Sequence, residues 1–99
     1  MRTHGRMEER YFTLEIVSQR ASLTPAAVRR YTRLGFIQPS ARQGRQTLYG
    51  EADLARLRKI VRLTRDLGLN LAGVEVVLHL TDALDALQRE MAALRKEES

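Results

Sequence analysis

The sequence has no cysteine and no tryptophan, and only two of its 99 residues are proline. Without cysteine, the chain cannot form disulfides, perform thiol redox chemistry or bind a metal through thiolates. No apolar run approaches the roughly 18 residues of a membrane-spanning helix. The first ten residues are polar and lack the apolar core of a signal peptide. We therefore expect residues 1–10 to be a disordered basic leader and the protein to be cytoplasmic.

Side chains that could support catalysis are also sparse. The two histidines, His4 and His79, have no second histidine or cysteine nearby, so we expect neither to bind a metal. The sequence contains no Ser-His-Asp set, paired-carboxylate pocket or glycine-rich phosphate loop. It predicts neither an enzyme nor a cofactor.

The positive charge is concentrated in the N-terminal half. Residues 1–49 contain nine Lys and Arg against three Asp and Glu, whereas residues 50–99 contain eight against nine. A basic half joined to a nearly neutral half is typical of a protein with a nucleic-acid face and a separate assembly segment. With 99 residues the chain has room for one small domain, without a catalytic cleft between two lobes.

A basic helix is predicted after Thr24. Thr24 is a good N-cap, Pro25 suits the first helical position, and Gly35 can end the helix in the left-handed conformation. At the helical period, one face carries Ala26, Arg29, Arg30 and Arg33. Small residues let a helix approach a groove floor, and arginines bind phosphates or guanine edges. Taken alone, this pattern also fits a solvated amphipathic helix.

The segment before this helix favours DNA binding. Tyr11-Phe12 is expected to be extended, and Thr13 can cap a helix that covers residues 14–20 or 14–21. The turn at Ser22-Leu23 then joins this helix to the basic one. Two helices joined by such a short turn form a helix-turn-helix, whose second helix enters the major groove.

A hairpin is predicted after the basic helix. Phe36-Ile37 has strand character, residues 40–46 form a polar loop, and residues 47–49 are expected to be the second strand. Arg42 and Arg45 would lie near the tip of this hairpin. Such a wing normally follows the DNA backbone, where its arginines position the protein.

A longer helix is predicted from Glu51 to Asp66, with Gly68 as its end. Its buried side is expected to carry Leu54, Leu57, Ile60, Val61 and Thr64. Its basic residues are expected to form a solvated face rather than a second DNA site: Arg56, Lys59, Arg62 and Arg65.

Asn70 is predicted to cap a short helix over residues 71–78, and Thr81 either restarts the helix or continues it to about Lys96. Apolar residues advance here by steps of three and four: Val77, Leu80, Leu84, Leu87, Met91 and Leu94. This repeat is typical of a coiled-coil seam, which is too short to be stable alone. Its partner is either the core of the chain or a second copy. We expect a homodimer, with dimerisation residues Leu80, Leu84, Leu87, Met91 and Leu94.

Several short motifs follow one another along the chain: Val28-Arg29-Arg30-Tyr31, Leu34-Gly35-Phe36-Ile37, Pro39, Leu48-Tyr49, Asp53-Leu54, Leu57 and Leu67-Gly68. In this order they resemble the Leu-Arg-x-Tyr, Leu-Gly-Leu-Leu-x-Pro, wing Tyr and Asp-Leu-x-x-Leu motifs of the MerR superfamily of transcription regulators. The segment from Gly68 to Val74 is most similar to the branch of heat-shock repressors related to HspR. The resemblance covers residues 11–87.

The resemblance implies a mainly α fold, in which a winged helix-turn-helix over residues 11–79 precedes a dimerisation coiled-coil helix over residues 80–99. It assigns Arg29 and Tyr31 to the DNA backbone. It places Ala26, Arg30 and Arg33 on the base-facing side. With the wing included, the expected DNA-binding residues are Thr24, Ala26, Arg29, Arg30, Tyr31, Arg33, Arg42, Arg45, Gln46 and Thr47.

Two positions depart from the pattern of the family. Thr47 stands where the wing arginine is usual, and Arg45 can substitute for it. Ser22 stands where a turn glycine is common before the recognition helix.

The resemblance also implies a repressor of heat-shock genes that binds an inverted repeat in double-stranded DNA. An antiparallel coiled coil would set the distance between the two recognition helices. Family members that sense metals or drugs have cysteines or a larger C-terminal domain. The resemblance therefore implies regulation by a protein, the chaperone DnaK acting as co-repressor, rather than by a small molecule.

Two other functions fit the same elements. One is a chaperone-modulator protein that binds a J-domain co-chaperone, and the other is a phage-type architectural or excision factor. The stripe formed by Arg29, Arg30 and Arg33 beside a basic hairpin favours DNA over a J-domain. The regular dimer seam favours a repressor over an excision factor.

Overall fold

The computed structural model describes residues 10–98, which divide into one compact unit ending at Gly68 and another beginning at Leu69. The expected leader therefore lies outside the described residues, except for Arg10. The Nε of Arg10 is 3.8 Å from the carboxylate of Glu51, and both side chains are exposed, so this pair contributes little to stability. The expected boundary between the DNA-binding domain and the dimerisation helix, at residues 79 and 80, falls inside a continuous helix. The different functions expected on the two sides of this boundary stay a prediction.

The first unit begins with the two helices of the predicted helix-turn-helix. They are α1 (Leu14–Arg20) and α2 (Pro25–Arg33), which pack against each other. Thr13 and Thr24 cap them as predicted, because each Oγ1 accepts the N–H of the residue three positions later, at 3.3 and 3.1 Å. Both helix starts are therefore determined by local hydrogen bonds that the sequence reveals.

The end of α2 differs from the prediction after Gly35. Gly35 adopts the expected left-handed conformation, with a φ of 81°. The N–H of Phe36 donates to the carbonyl of Tyr31 at 2.9 Å, and that of Gly35 donates to Thr32 at 3.1 Å. These bonds cap the helix, so the N–H of Phe36 is no longer available to pair with a neighbouring strand. The predicted strand at Phe36-Ile37 is therefore wrong, and the apolar character of this irregular segment reflects burial.

The first strand and the turn of the hairpin lie within the segment predicted to be a polar loop, whereas the second strand is confirmed to within one residue of its predicted place at residues 47–49. Strand β1 (Ala41–Gln43) pairs antiparallel with β2 (Gln46–Leu48), and Gln43 faces Gln46 across a two-residue turn. Gly44 takes the first turn position with a φ of 62°, which glycine adopts at little cost. The first strand was misplaced because Ala41–Gln43 is short, largely exposed and without an alternating apolar pattern.

An isolated antiparallel bridge joins the start of the first unit to the end of the hairpin. The N–H of Phe12 donates to the carbonyl of Tyr49 at 2.7 Å, and the reverse bond measures 2.9 Å. The predicted extended piece is therefore confirmed at Phe12. Both side chains belong to the apolar core of this unit: Phe12, Val17, Ala21, Val28, Phe36, Ile37, Tyr49, Leu54, Leu57, Ile60 and Leu63.

The long helix changes its winding before it ends. It is α-helical as α3 (Glu51–Val61) and becomes a π-helix over Arg62–Asp66, where the sequence predicted one α-helix throughout. The Thr64 hydroxyl donates to the carbonyls three and four positions earlier, at 3.1 and 3.0 Å. Apolar periodicity cannot reveal a hydroxyl that competes for backbone carbonyls. Val61 and Thr64 are half-buried rather than fully buried.

Two of the four basic residues expected on the solvated face of this helix donate to backbone carbonyls, although Arg65 is exposed as predicted. The Nε of the half-buried Arg56 donates to the carbonyl of Phe36. The Nη2 of Arg65 donates to the carbonyl of Ser22 at 2.7 Å. Carbonyls left unpaired by irregular backbone attract these guanidinium groups, and such carbonyls are invisible to a helical pattern.

The second unit consists mainly of one helix, α4 (Leu71–Glu98). Its predicted cap is confirmed, since Oδ1 of Asn70 accepts the N–H of Gly73 at 2.9 Å. The helix passes Thr81 without a break, so the continuous alternative is correct. No helix within residues 10–98 combines the length and apolar character needed to cross a bilayer.

A buried carboxylate connects both ends of the hairpin to α3. Oδ2 of Asp53 accepts a hydrogen bond from the Ser40 hydroxyl at 2.6 Å and another from the N–H of Gly50 at 2.8 Å. Ser40 precedes β1, and Gly50 lies just beyond β2. A Cβ at position 50 would stand 2.8 Å from the Ser40 hydroxyl oxygen, so this approach requires glycine. Asp53 therefore closes the hairpin at its base.

We expect Asp53→Asn to lower the free energy of unfolding by about 1–2 kcal/mol, because two charge-assisted hydrogen bonds to one carboxylate oxygen become weaker bonds to a neutral amide oxygen. Urea denaturation followed by circular dichroism measures this loss. The matched control is Asp85→Asn on the exposed surface of α4, which should change stability by less than about 0.5 kcal/mol. Equal urea midpoints for Asp53→Asn and Asp85→Asn would contradict the conclusion that Asp53 stabilises the base of the hairpin.

Candidate nucleic-acid interface

A cleft of about 640 Å³ lies between α2 and the hairpin. Its lining residues are Arg29, Thr32, Arg33, Pro39, Ala41, Arg42, Thr47 and Tyr49. Three of them are arginines, whereas the proline, alanine and tyrosine supply apolar surface. Cationic groups beside an apolar surface suit a ligand that alternates anionic and apolar parts, as a sugar-phosphate chain does.

A second, smaller cleft of about 270 Å³ adjoins the first. Its lining residues are Leu14, Glu15, Arg29, Arg45, Gln46, Thr47 and Tyr49. Arg29, Thr47 and Tyr49 line both clefts, so Arg29 stands at the junction of the basic surface. Glu15 is the one carboxylate among these lining residues, which leaves the balance of charge strongly positive.

The structure brings together only part of the predicted DNA-binding set. Six of the ten residues line the two clefts: Arg29, Arg33, Arg42, Arg45, Gln46 and Thr47. The other four, Thr24, Ala26, Arg30 and Tyr31, lie on or next to α2 without lining either cleft. Ala26 and Arg30 are exposed, and the Thr24 hydroxyl oxygen accepts the capping hydrogen bond. Their contribution to DNA binding stays a prediction.

Tyr31 has a structural contact that the sequence did not suggest. Its half-buried ring stacks on Phe36, with ring centroids 6.0 Å apart and an interplanar angle of 14°. The stack ties α2 to the buried segment that follows it. The contact with the DNA backbone that the resemblance implies for Tyr31 stays a prediction.

The basic surface is not neutralised by acidic groups. The side chains of Arg29, Arg30, Arg33, Arg42 and Arg45 are exposed, and none of them forms an ion pair within residues 10–98. Adjacent charges of one sign add their potentials and attract a polyanion over a distance set by salt. In the same part of the chain, no cluster of three or more His, Asp or Glu side chains could hold a metal ion.

Sequence reasoning missed four residues of the larger cleft: Thr32, Pro39, Ala41 and Tyr49. The Thr32 hydroxyl donates to the carbonyl of Val28 at 2.8 Å and lies 3.4 Å from the hydroxyl oxygen of Tyr49. Thr32 follows Arg29 by three positions, and this helical spacing could have identified it. Tyr49 is buried in the core, yet it lines both clefts, and only the folded hairpin reveals this.

The predicted seam of α4 forms an exposed apolar stripe. Its five large side chains, which are 52 to 65% exposed, are Leu80, Leu84, Leu87, Met91 and Leu94. Val74 and Leu78 are buried instead, and at helical spacing they lie on roughly the opposite face of α4. A continuous apolar stripe of this kind marks an interaction surface.

The sequence profile of the MerR HTH family of regulatory proteins matches residues 12–96, which include both helices of the helix-turn-helix, the hairpin and most of α4. The chain belongs to this MerR family. A Streptomyces coelicolor protein, named as a candidate heat shock protein HspR, is 32% identical to it over 83 residues. This alignment covers 84% of the present chain and 55% of the relative, so the chain spans about half the length of that curated protein.

Membership in the MerR family assigns the pair α1 and α2 to a regulatory helix-turn-helix. In such a pair the second helix is the recognition helix, so α2 takes that position here. The similarity to the Streptomyces protein makes the chain a MerR-family regulator related to HspR. The resemblance inferred from the sequence motifs is therefore confirmed.

We expect Arg42→Gln to leave the free energy of unfolding within about 0.5 kcal/mol of the wild-type value, because this exposed side chain has no partner among the described residues. Arg56→Gln is the matched variant and should cost about 1–2 kcal/mol, since it removes the donor to the Phe36 carbonyl. Thermal and urea unfolding measure both effects. A loss at Arg42 as large as that at Arg56 would mean that the basic surface supports the fold.

Proposed function

We propose that this MerR-family regulator is a transcriptional repressor that binds an inverted repeat in double-stranded DNA as a homodimer. The observation that carries the proposal is the cleft between α2 and the hairpin, where Arg29, Arg33 and Arg42 meet without acidic partners among the described residues. Guanidinium groups in such a cleft favour phosphates, which supply much of the affinity of a protein for DNA.

In this proposal α2 lies in the major groove and the hairpin is a wing. Ala26 near the start of α2 allows close approach, and Arg30 and Arg33 face the base edges. Arg29, Arg42 and Thr47 contact the phosphates that flank the groove. Arg45 extends this contact at the tip of the wing, beside Gln46. Support comes from Arg29, Arg33, Arg42, Arg45 and Thr47, which line the two adjoining clefts.

The homodimer is proposed from the apolar stripe of α4. A helix with five large apolar residues exposed along one side needs a partner, and a second copy offers an identical stripe with the same spacing. A symmetric dimer presents two recognition helices related by a two-fold axis. Its DNA site would therefore be an inverted repeat, read as two half-sites.

The regulated genes are proposed to be heat-shock genes, with the chaperone DnaK as co-repressor. Support comes from the name of the Streptomyces relative and from the resemblance of the segment Gly68 to Val74 to HspR-related repressors. Since the chain spans about half of that relative, the genes and the chaperone need a test separate from DNA binding.

The proposal is tested by selecting genomic fragments with the purified protein at moderate salt and sequencing those that it retains. We expect enrichment of an inverted repeat upstream of chaperone genes. A repeat upstream of other genes would retain the DNA-binding repressor and remove the heat-shock assignment. No enriched sequence would contradict DNA recognition and favour the chaperone-modulator alternative.

The matched variant for this experiment is Arg29→Ala, measured on the selected DNA over a range of salt concentrations. Loss of one phosphate contact should weaken binding to all sequences and reduce the slope of log K against log salt by about 0.9. The selected sequence itself should not change. Equal slopes for the variant and the wild type would show that Arg29 does not bind a phosphate.

We expect Leu87→Asp to convert the dimer into a monomer, because it places a charge in the middle of the apolar seam. DNA affinity should fall as well, since one half-site holds only one recognition helix. Sedimentation equilibrium measures the mass of the species. The control is Gln88→Asp, which adds the same charge beside the stripe and should leave the dimer intact. A dimeric Leu87→Asp protein would remove this seam from the proposal.

A further inference from the structure

The turn between α1 and α2 contains a residue in a conformation that serine rarely adopts. Ser22 has a φ of 61°, and it is the one non-glycine residue with positive φ among residues 10–98. For an L residue this left-handed conformation crowds the Cβ atom against the backbone, whereas glycine adopts it freely. A strained residue persists only where contacts from its surroundings hold it.

The turn is closed by hydrogen bonds from its own N–H groups and receives further contacts from the far end of the unit. Local N–H groups satisfy the last carbonyls inside α1, at Val17, Ser18 and Gln19. The carbonyls of Arg20 and Ser22 accept guanidinium hydrogen bonds instead. The Nη2 of Arg58 lies 3.3 Å from the Arg20 oxygen, and the Nη2 of Arg65 lies 2.7 Å from the Ser22 oxygen.

The longer of these two bonds falls on the last residue of α1, whereas the shorter one lies two residues beyond the helix. Carbonyls at the C-terminal end of a helix carry partial negative charge and are stabilised by a cation. Arg65 lies in the π-helix Arg62–Asp66, whose wider turn changes the direction of its side chains from that of a regular α-helix. Arg58 and Arg65 are seven positions apart, about two turns, so both reach the same side.

We propose that Arg65 is a positioning residue for DNA recognition, which holds the left-handed turn at Ser22 and thereby sets the direction of α2. Arg58 assists at the neighbouring carbonyl. Arg65 acts through the backbone of the turn and does not contact DNA. The proposal rests on the proposed function, because α2 is the helix that would enter the major groove. It also gives Ser22, in place of a turn glycine, a compensating partner within this chain.

The turn is tested first without DNA, by hydrogen exchange on the full chain. Arg65→Met keeps the apolar stem and removes the donor, so the Leu23 amide, which donates to Ser18 at 2.9 Å, should exchange about fivefold faster. Adding Ser22→Gly should restore most of the protection, because glycine needs no external support at this φ. Arg65→Lys keeps a hydrogen-bond donor, so its Leu23 exchange rate should lie between those of the wild type and Arg65→Met.

The amide of Ile60 in the core reports on global unfolding, so the change at Leu23 is compared with the change at Ile60 in every variant. Unchanged Leu23 exchange in Arg65→Met would overturn the proposal. The other contrary result is that Arg65→Met accelerates Leu23 exchange by the same factor in the wild-type and the Ser22→Gly backgrounds. That result would overturn the proposal too, because it would show that the strain at position 22 is not coupled to Arg65.

The second experiment measures binding to the DNA that the wild type selects. Arg65→Met should bind about fivefold more weakly with an unchanged salt slope, and Ser22→Gly should restore the affinity. A slope smaller by about 0.9 without restoration would mean that Arg65 binds a phosphate, and it would overturn the positioning role. If the wild type binds no DNA, the proposed function fails, and the exchange experiment alone decides whether Arg65 holds the turn.

Discussion

The hydrogen bonds of the buried Asp53 carboxylate are the constraint on which the basic surface depends. Two strands of three residues each are too short to be stable alone, so the hairpin needs an external support. Asp53 provides it by accepting from Ser40 and from Gly50, one at each end of the hairpin. Because Asp53 belongs to the first turn of α3, the arginines of the hairpin are positioned by a helix of the core.

The same helix supports the other side of the recognition helix. Arg56 binds the carbonyl that follows α2, while Arg65, in the π-helix beyond α3, binds a carbonyl of the turn that precedes it. The irregular segments before and after α2 therefore accept hydrogen bonds from side chains of one continuous stretch of chain. Two groups of arginines differ in this respect: Arg56, Arg58 and Arg65 donate to backbone carbonyls, whereas the exposed arginines of α2 and the hairpin form no such bond within residues 10–98. The second group is free to bind a polyanion.

The correct predictions depend on capping side chains that the sequence displays, whereas the incorrect ones depend on backbone groups that it does not display. Thr13, Thr24 and Asn70 were predicted as caps because each bonds to a residue three positions away. The strand at Phe36-Ile37 was wrong because its amide pairs with the end of a helix, which an apolar pattern does not reveal. The arginine residues of the candidate site were recognised from the helical spacing of α2 and from the polar loop of the hairpin, whereas Tyr49 was not, since it enters the clefts only when the hairpin closes.

The sequence by itself determined the helix starts, the basic stripe of α2, the apolar stripe of α4 and the family of the chain. These features depend on residue type and on spacing within a few turns, which one sequence displays directly. Only the tertiary structure decided where the first strand lies, which arginines have backbone partners and that Ser22 is held from a residue 43 positions away. Such contacts depend on which carbonyls the fold leaves unpaired, and that is settled only when distant segments meet.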